Sequence, residues 1–141
     1  MKKSELEHDL FIKINSLISK IDYNIFKLKS LSNIEKKLFN KIKMAMGLKI
    51  KSKESLTIQQ MESYREYIMA CTNKKLDVEA NMNSVSLFDE LSSLKVELFK
   101  DKTNYKKIYW NFMKINKLHE RLIKMVSDII FKGNNVIAVL A

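Results

Sequence analysis

The sequence lacks proline entirely and has only 2 glycines in 141 residues. A β-rich or loop-rich domain of this length needs more turn residues, so the composition excludes both classes. Hydrophobic residues make up 46% of the chain and charged residues 30%, which is typical of a helical or coiled-coil protein. The sequence therefore predicts a single all-α folding unit.

Cysteine is nearly absent as well. The single Cys71 excludes an internal disulfide and suits a reducing compartment. It lies on an apolar stripe, which favours a small buried hydrophobic role. No apolar run reaches the roughly 20 residues that a membrane-spanning helix needs, and the first residues lack the apolar core of a signal peptide. We expect a cytoplasmic protein without a transmembrane segment.

Arginine is scarce although the chain is strongly basic. The chain has 26 basic and 16 acidic residues, which gives a net charge of +10. Only two of the basic residues, Arg65 and Arg121, are arginines. Lysine carries a hydrated point charge and lacks the planar guanidinium with which arginine makes two hydrogen bonds to a nucleic-acid base. The charge indicates either a solvated face or an acidic partner, which includes proteins, nucleic acids and anionic membrane surfaces.

Motifs for catalysis are missing. With glycines only at positions 47 and 133, no phosphate-binding glycine loop is possible, and there is no Gly-x-Ser-x-Gly, Cys-x-x-Cys or His-Glu-x-x-His. Of the two histidines, His8 and His119, only His8 forms a Glu-x-x-His spacing, with Glu5, and nothing repeats it. The sequence predicts neither an enzyme, nor a metal site, nor a cofactor.

The first half of the chain carries a heptad stripe with steps of four and three residues. Asn24 and Glu35 interrupt its apolar character. Asn24 at a core site is a device that fixes register in coiled coils. Glu35 indicates either a partner contact or a shift of the seam to Ile34. The stripe consists of Leu10, Ile14, Leu17, Ile21, Asn24, Leu28, Leu31, Glu35, Leu38, Ile42 and Ala45.

Capping signals divide the chain. Ser4 with Glu7, and Thr57 with Gln60, have the spacing of capping boxes, which start helices. Gly47 is suited to end the first helix in the left-handed conformation. The predicted division is helix 5–46, bend 47–57, helix 58–132, which Gly133 ends, and tail 133–141.

The second stripe slips by two residues between Val85 and Leu94, and Asn81–Ser86 has the least helical composition. Either the helix continues with a local change of winding, or it breaks there. Continuity predicts an antiparallel two-helix coiled-coil hairpin with a longer second helix. A break predicts a compact three- or four-helix bundle. The stripe consists of Met61, Tyr64, Ile68, Cys71, Lys75, Val78, Met82, Val85, Leu91, Leu94, Leu98, Asp101, Tyr105, Ile108, Phe112, Ile115, His119, Leu122, Val126 and Ile129.

Basic and aromatic residues alternate in 100–124, which is the best candidate for a nucleic-acid site in the chain. The aromatic residues, however, lie on or beside the predicted stripe and the lysines flank it. That layout is ordinary for a coiled coil, so the pattern favours a protein partner over nucleic acid.

Several segments resemble one family. They are Met46–Leu48, Gln59–Met61, Ser63–Ile68, Asn111–Lys114 and Met125–Asp128. In order along the chain they are similar to pieces of the small basic proteins that form the central stalk of the export ATPase in type III secretion and flagellar export (FliJ/YscO-like). Those proteins also have a shorter first helix, a bend and a longer second helix.

The resemblance implies a stalk protein that inserts into the pore of the hexameric export ATPase, promotes ATPase assembly and activity, and links the ATPase to the export gate. It implies a cytoplasmic place beside the inner-membrane apparatus of a virulence system, with secretion chaperones as further partners. The residues implied for the ATPase are Lys2, Lys3, Lys13, Lys20, Lys114, Lys117, Arg121 and Lys124. Those implied for the export gate or chaperones are Leu38, Ile42, Tyr64, Tyr67, Ile68 and Cys71.

Two other functions stay open. The first is a helical-bundle chaperone or adaptor that binds an export substrate, which requires a break in the second helix. The second is a basic helical protein that binds nucleic acid, which requires strongly salt-dependent binding.

Overall fold

A computed structural model describes the backbone of residues 3–81 and 104–141, and the side chains of residues 8–80 and 104–141. The described part contains three helices and no strand: α1 (Lys3–Lys51), α2 (Ile58–Asn81) and α3 (Tyr105–Leu140). The all-α prediction is confirmed for this part of the chain. The side chains of Ser4 and Glu7, which form the first predicted capping box, lie outside the described ones.

Helix α1 does not end at Gly47, so that prediction is wrong. Glycine lowers helix propensity but does not by itself stop a helix. The helix continues to Lys51, and Lys53 adopts the left-handed conformation with φ of 57°. In this last turn the Ser52 amide donates to the Leu48 carbonyl at 3.0 Å, and the Ser52 hydroxyl donates to the Lys49 carbonyl at 3.0 Å.

The second predicted capping box is confirmed at the start of α2. The Gln60 amide donates to the Thr57 hydroxyl oxygen at 3.1 Å, and the Thr57 amide donates to the Gln60 side-chain oxygen at 3.0 Å. This reciprocal pair satisfies two amides that the first helical turn leaves without partners. Helix α2 therefore starts at Ile58, as the sequence indicates.

The prediction of one unbroken helix over residues 58–132 is wrong at Asn104. This residue is not helical, and its side-chain oxygen accepts a 3.2 Å bond from the Lys107 amide. Asparagine is a favoured N-cap because its side chain replaces a missing backbone acceptor. Helix α3 thus has its own start. Of the predicted break at 81–86, only Asn81, the last residue of α2, lies within the described residues.

The predicted tail at 133–141 is also wrong, because α3 continues through Gly133 to Leu140. Gly133 is buried where α3 meets other helices. A Cβ atom there would lie 2.5 Å from Leu38 Cδ2 and 3.1 Å from Tyr67 Cε2. The missing side chain therefore permits close packing, and it does not end the helix.

The chain divides into two compact units. Unit 1 consists of Met1–Lys27 and Val78–Arg121. Among the described residues, α1 and α3 contribute a buried cluster to this unit that contains Ile14, Ile21, Ile108, Phe112 and Ile115. The two helices run parallel in this unit, because Phe11 contacts Tyr105 and, further along both helices, Asn24 bonds to Asn116.

Unit 2 consists of Leu28–Asp77 and Leu122–Ala141, and all three helices contribute to its core. Helix α2 runs antiparallel to α3, because Gln60 donates to the Val139 carbonyl at 2.9 Å while Tyr67 lies beside Gly133. It also runs antiparallel to α1. The core contains Leu38, Ile42, Tyr67, Ala70, Ile129, Val136 and Leu140.

The stripe of α1 is confirmed, since each of its eleven positions is buried or half-buried. Ile34 is 49% exposed, so Glu35 keeps its place on the seam. The stripe predicted for α2 is only partly right. Met61 and Lys75 are exposed, and the buried Tyr67 and Ala70 were not part of it, whereas Tyr64, Ile68, Cys71 and Val78 are half-buried as predicted. A helix that packs against two neighbours buries a wider arc than a two-stranded seam requires.

Candidate partner-binding surfaces

The outer face of α3 in unit 1 combines an exposed aromatic ring with cations. Trp110 is 59% exposed, and Lys114, Lys117 and Arg121 follow it at steps of four, three and four residues. This spacing places all four on one side of the helix. Together with the half-buried Met113 and Leu118, they line a shallow depression of about 260 Å³. We call these six residues the α3 outer face.

The local charge of this helix segment is strongly positive. Between residues 105 and 121 the sequence has five lysines and arginines but one acidic residue, Glu120. The Glu120 carboxylate accepts from Lys20 at 2.9 Å and from Asn116 at 3.3 Å. The face therefore matches a partner that carries negative charge together with apolar groups.

The lysines predicted to contact an ATPase are not all in one place. Lys114 and Lys117, together with Arg121, lie on the α3 outer face. Lys13 pairs with Asp9 at 3.1 Å, and this hydrogen bond together with the carboxylate charge raises the Lys13 pKa. Lys20 pairs with Glu120, and Lys124 is exposed in unit 2. Lys2 lies outside the described residues, as does the side chain of Lys3.

The residues predicted to contact an export gate lie in unit 2. Leu38, Ile42 and Tyr67 are buried in its core, and Tyr64, Ile68 and Cys71 are half-buried against it. Their apolar contacts are made within the chain. The stripe spacing that suggested an accessible surface is instead the signature of intramolecular packing.

A groove of about 560 Å³ lies between α1 and α2 in unit 2, and its polar centre is an ion pair. The Lys74 ammonium lies 2.7 Å from one Glu35 oxygen and 2.8 Å from the other. The groove is lined by Ser32, Glu35, Lys36, Phe39, Asn40, Tyr67, Cys71 and Lys74.

Two neutral groups lie beside this groove. The Tyr67 hydroxyl is buried and has no hydrogen-bond partner of ordinary geometry among the described residues. Burial, with a smaller contribution from the neighbouring Cys71, raises the pKa of Tyr67. Burial likewise raises the pKa of the Cys71 thiol. Cys71 is therefore a neutral thiol at physiological pH, and its surroundings do not activate it as a nucleophile.

The histidines are not close to a set of metal ligands. His119 is 1% exposed, and burial lowers its pKa, whereas His8 is exposed. In residues 3–81 and 104–141 no three residues of the types His, Cys, Asp and Glu are grouped so that they could hold a metal ion. Across the same ranges, none of the helices combines the length and apolar character that crossing a bilayer requires.

Comparison with protein-family models, with curated proteins and with solved structures finds no match to this chain. The sequence pattern placed Trp110 among the basic residues of the candidate nucleic-acid site, but of the α3 outer face only Lys114, Lys117 and Arg121 were predicted to contact the ATPase. The spacing of these residues on the side of α3 opposite the buried stripe was the available signal.

Proposed function

We propose that this protein is a binding protein of a type III secretion system, not an enzyme, and that its α3 outer face binds the hexameric export ATPase. In this role it promotes assembly and activity of the ATPase and links it to the export gate. The observation that carries the proposal is the exposed Trp110 beside Lys114 and Lys117 on one helix face. The secretion setting comes from the resemblance of its sequence segments to the stalk family.

The chemistry of the face supports an acidic protein partner. Tryptophan and arginine are the residue types that most often dominate protein interfaces. Lysines around such an anchor accelerate association with an acidic surface and select against basic ones. The half-buried Met113 and Leu118 add apolar area that a phosphate backbone would leave uncovered, so we favour protein over nucleic acid.

The test is a binding and activity assay with the purified ATPase of the same organism. The chain should bind with a dissociation constant that rises with salt, and it should increase both hexamer formation and ATP hydrolysis. The variant Lys114→Glu/Lys117→Glu should weaken binding by about tenfold or more, because each substitution replaces a positive charge that attracts an acidic partner with a negative charge that repels it.

The matched control is Lys37→Glu/Lys41→Glu, which makes the same charge change at exposed positions of α1 in unit 2. It should retain most of the affinity. Equal losses in both variants would mean that net charge, and not this face, drives binding. Retention on DNA with a steep salt slope, without ATPase binding, would favour a nucleic-acid-binding function instead.

A second candidate is a helical-bundle chaperone or adaptor that binds an export substrate. The contribution of all three helices to the unit 2 core favours it, because a two-helix hairpin has no third helix to bury. On this proposal the whole chain is a bundle, the protein is cytoplasmic beside the inner-membrane apparatus, and the partner is a substrate or another chaperone. Capture of an export substrate without stimulation of ATP hydrolysis would distinguish it from the stalk.

A further inference from the structure

The three most exposed large hydrophobic side chains of the described residues lie where α1 ends and α2 begins: Ile50 is 74% exposed, Ile58 72% and Met44 71%. Leu48, in the same segment, is 66% exposed. All four belong to residues 43–58 of unit 2, which we call the α1–α2 corner. Apolar groups that are exposed together in this way mark an interaction site more often than chance exposure does.

These side chains project from more than one side of the corner. Leu48 and Ile50 are two residues apart in α1, so they point about 200° apart around the helix axis. Ile58 begins the next helix after the turn. A single partner helix covers one side of a helix and would leave part of this set in water. A lipid bilayer interface is continuous and accommodates apolar groups from all sides of an inserted tip.

The corner is also basic. It carries four lysines, at positions 43, 49, 51 and 53, and one acidic residue, Glu54. Lys49 binds the Glu54 carboxylate at 2.9 Å, which neutralises that acid. Lysine side chains beside inserted apolar groups can extend toward the headgroups, and each contributes attraction to anionic lipid near the surface.

We propose that the α1–α2 corner docks onto the surface of an anionic lipid bilayer. Met44, Leu48, Ile50 and Ile58 enter the boundary between headgroups and acyl chains, and the lysines lie among the anionic headgroups. The chain remains on one side of the bilayer. The proposal does not depend on the α3 outer face or on an ATPase.

The test uses the full chain with two kinds of large unilamellar vesicles, phosphatidylcholine alone and an equimolar mixture with phosphatidylglycerol. Cosedimentation should show binding to the mixed vesicles at low salt and much weaker binding to the neutral ones. Added salt should reduce but not abolish binding to the mixed vesicles, because the apolar contribution is not screened. Absence of binding to the mixed vesicles at low salt would overturn the proposal.

The informative variant is Leu48→Asn/Ile50→Asn, which should lower the vesicle partition coefficient by about tenfold or more. Both side chains are exposed, so the thermal midpoint should stay close to that of the parent chain. The control is Phe131→Asn, which removes a 65% exposed apolar side chain from α3 in the same unit and should not change binding. Equal losses in the variant and the control would refute the corner as the site. So would loss only in Lys114→Glu/Lys117→Glu, which would assign vesicle binding to the α3 outer face.

Discussion

The side-chain amide of Asn24 in α1 donates a 2.9 Å hydrogen bond to the side-chain oxygen of Asn116 in α3, and both residues are buried in unit 1. Asn24 lies on the mostly apolar stripe of α1, and Asn116 follows Ile115 of the stripe in α3. A buried polar pair of this kind tolerates only the register in which the two amides meet. This agrees with the register-fixing role expected for Asn24 from its position in the heptad stripe.

Removal of one partner of this pair should destabilise the chain. Asn24→Ala leaves the buried Asn116 side-chain oxygen without its donor, which should lower the free energy of unfolding by about 1–3 kcal/mol. The double variant Asn24→Leu/Asn116→Leu should recover much of that loss, because no unsatisfied group remains. Urea denaturation checks both values. A double variant as unstable as the single one would show that the pair is not coupled.

The two glycines should respond in opposite directions to alanine. Gly133→Ala forces a Cβ toward Leu38 and Tyr67, and overpacking of this kind should cost about 1–3 kcal/mol. Gly47→Ala is the matched control, since nothing lies within 4 Å of a Cβ built there. It should stabilise the chain by about 0.5–1 kcal/mol through helix propensity. Thermal denaturation of the two variants measures the contrast. Destabilisation by Gly47→Ala would contradict the helix through residue 47.

Buried His119 should make stability fall in mild acid. Burial lowers its pKa below the ordinary value of 6.5, so the unfolded chain binds a proton more readily than the folded one. The contribution is fully present above pH 6.5 and is lost as pH falls through the window between 6.5 and the folded pKa. Urea titrations at several pH values should show this slope. His119→Gln should reduce it, and an unchanged slope in that variant would contradict the assignment to His119.

Cys71 should react slowly with thiol reagents in the folded chain. Burial raises its pKa, and only the thiolate reacts, so the folded rate at neutral pH should be at least about tenfold below that in urea. Reaction with a chromogenic disulfide, followed with and without denaturant, measures the ratio. A folded rate equal to the denatured rate would show that the thiol is neither buried nor desolvated.

Local signals in the sequence were good guides to some helix ends and poor guides to others. The capping box of Thr57 and Gln60 joins residues three apart, so its two hydrogen bonds form without contacts from distant parts of the chain. Glycine is different because it permits a helix end without requiring one. At position 47 the helix continues to Lys51, and no atom from elsewhere in the chain lies within 4 Å of where a Cβ would be. At position 133 the absence of a Cβ lets α3 approach Leu38 and Tyr67 closely.

The candidate surface was only partly within reach of sequence reasoning. The basic residues of α3 were identified from charge. The pair between Lys13 and Asp9, four residues apart in α1, was within reach of the sequence. The pair between Lys20 and Glu120 was not, because it joins two helices that are far apart in the sequence. The stripe predicted for α2 did not include the buried Tyr67 and Ala70, because the helices that pack against them were not known.

The sequence by itself determined that the described chain is helical, that α1 buries one continuous stripe, and that α2 starts after Thr57. These properties depend on composition, on a repeat of three and four residues, and on hydrogen bonds between near neighbours. Only the tertiary structure decided that α3 begins at Tyr105 and runs to Leu140, and that α2 buries Tyr67 in a core shared by three helices. Burial of a side chain is set by what packs against it, and in this chain those partners lie many residues away.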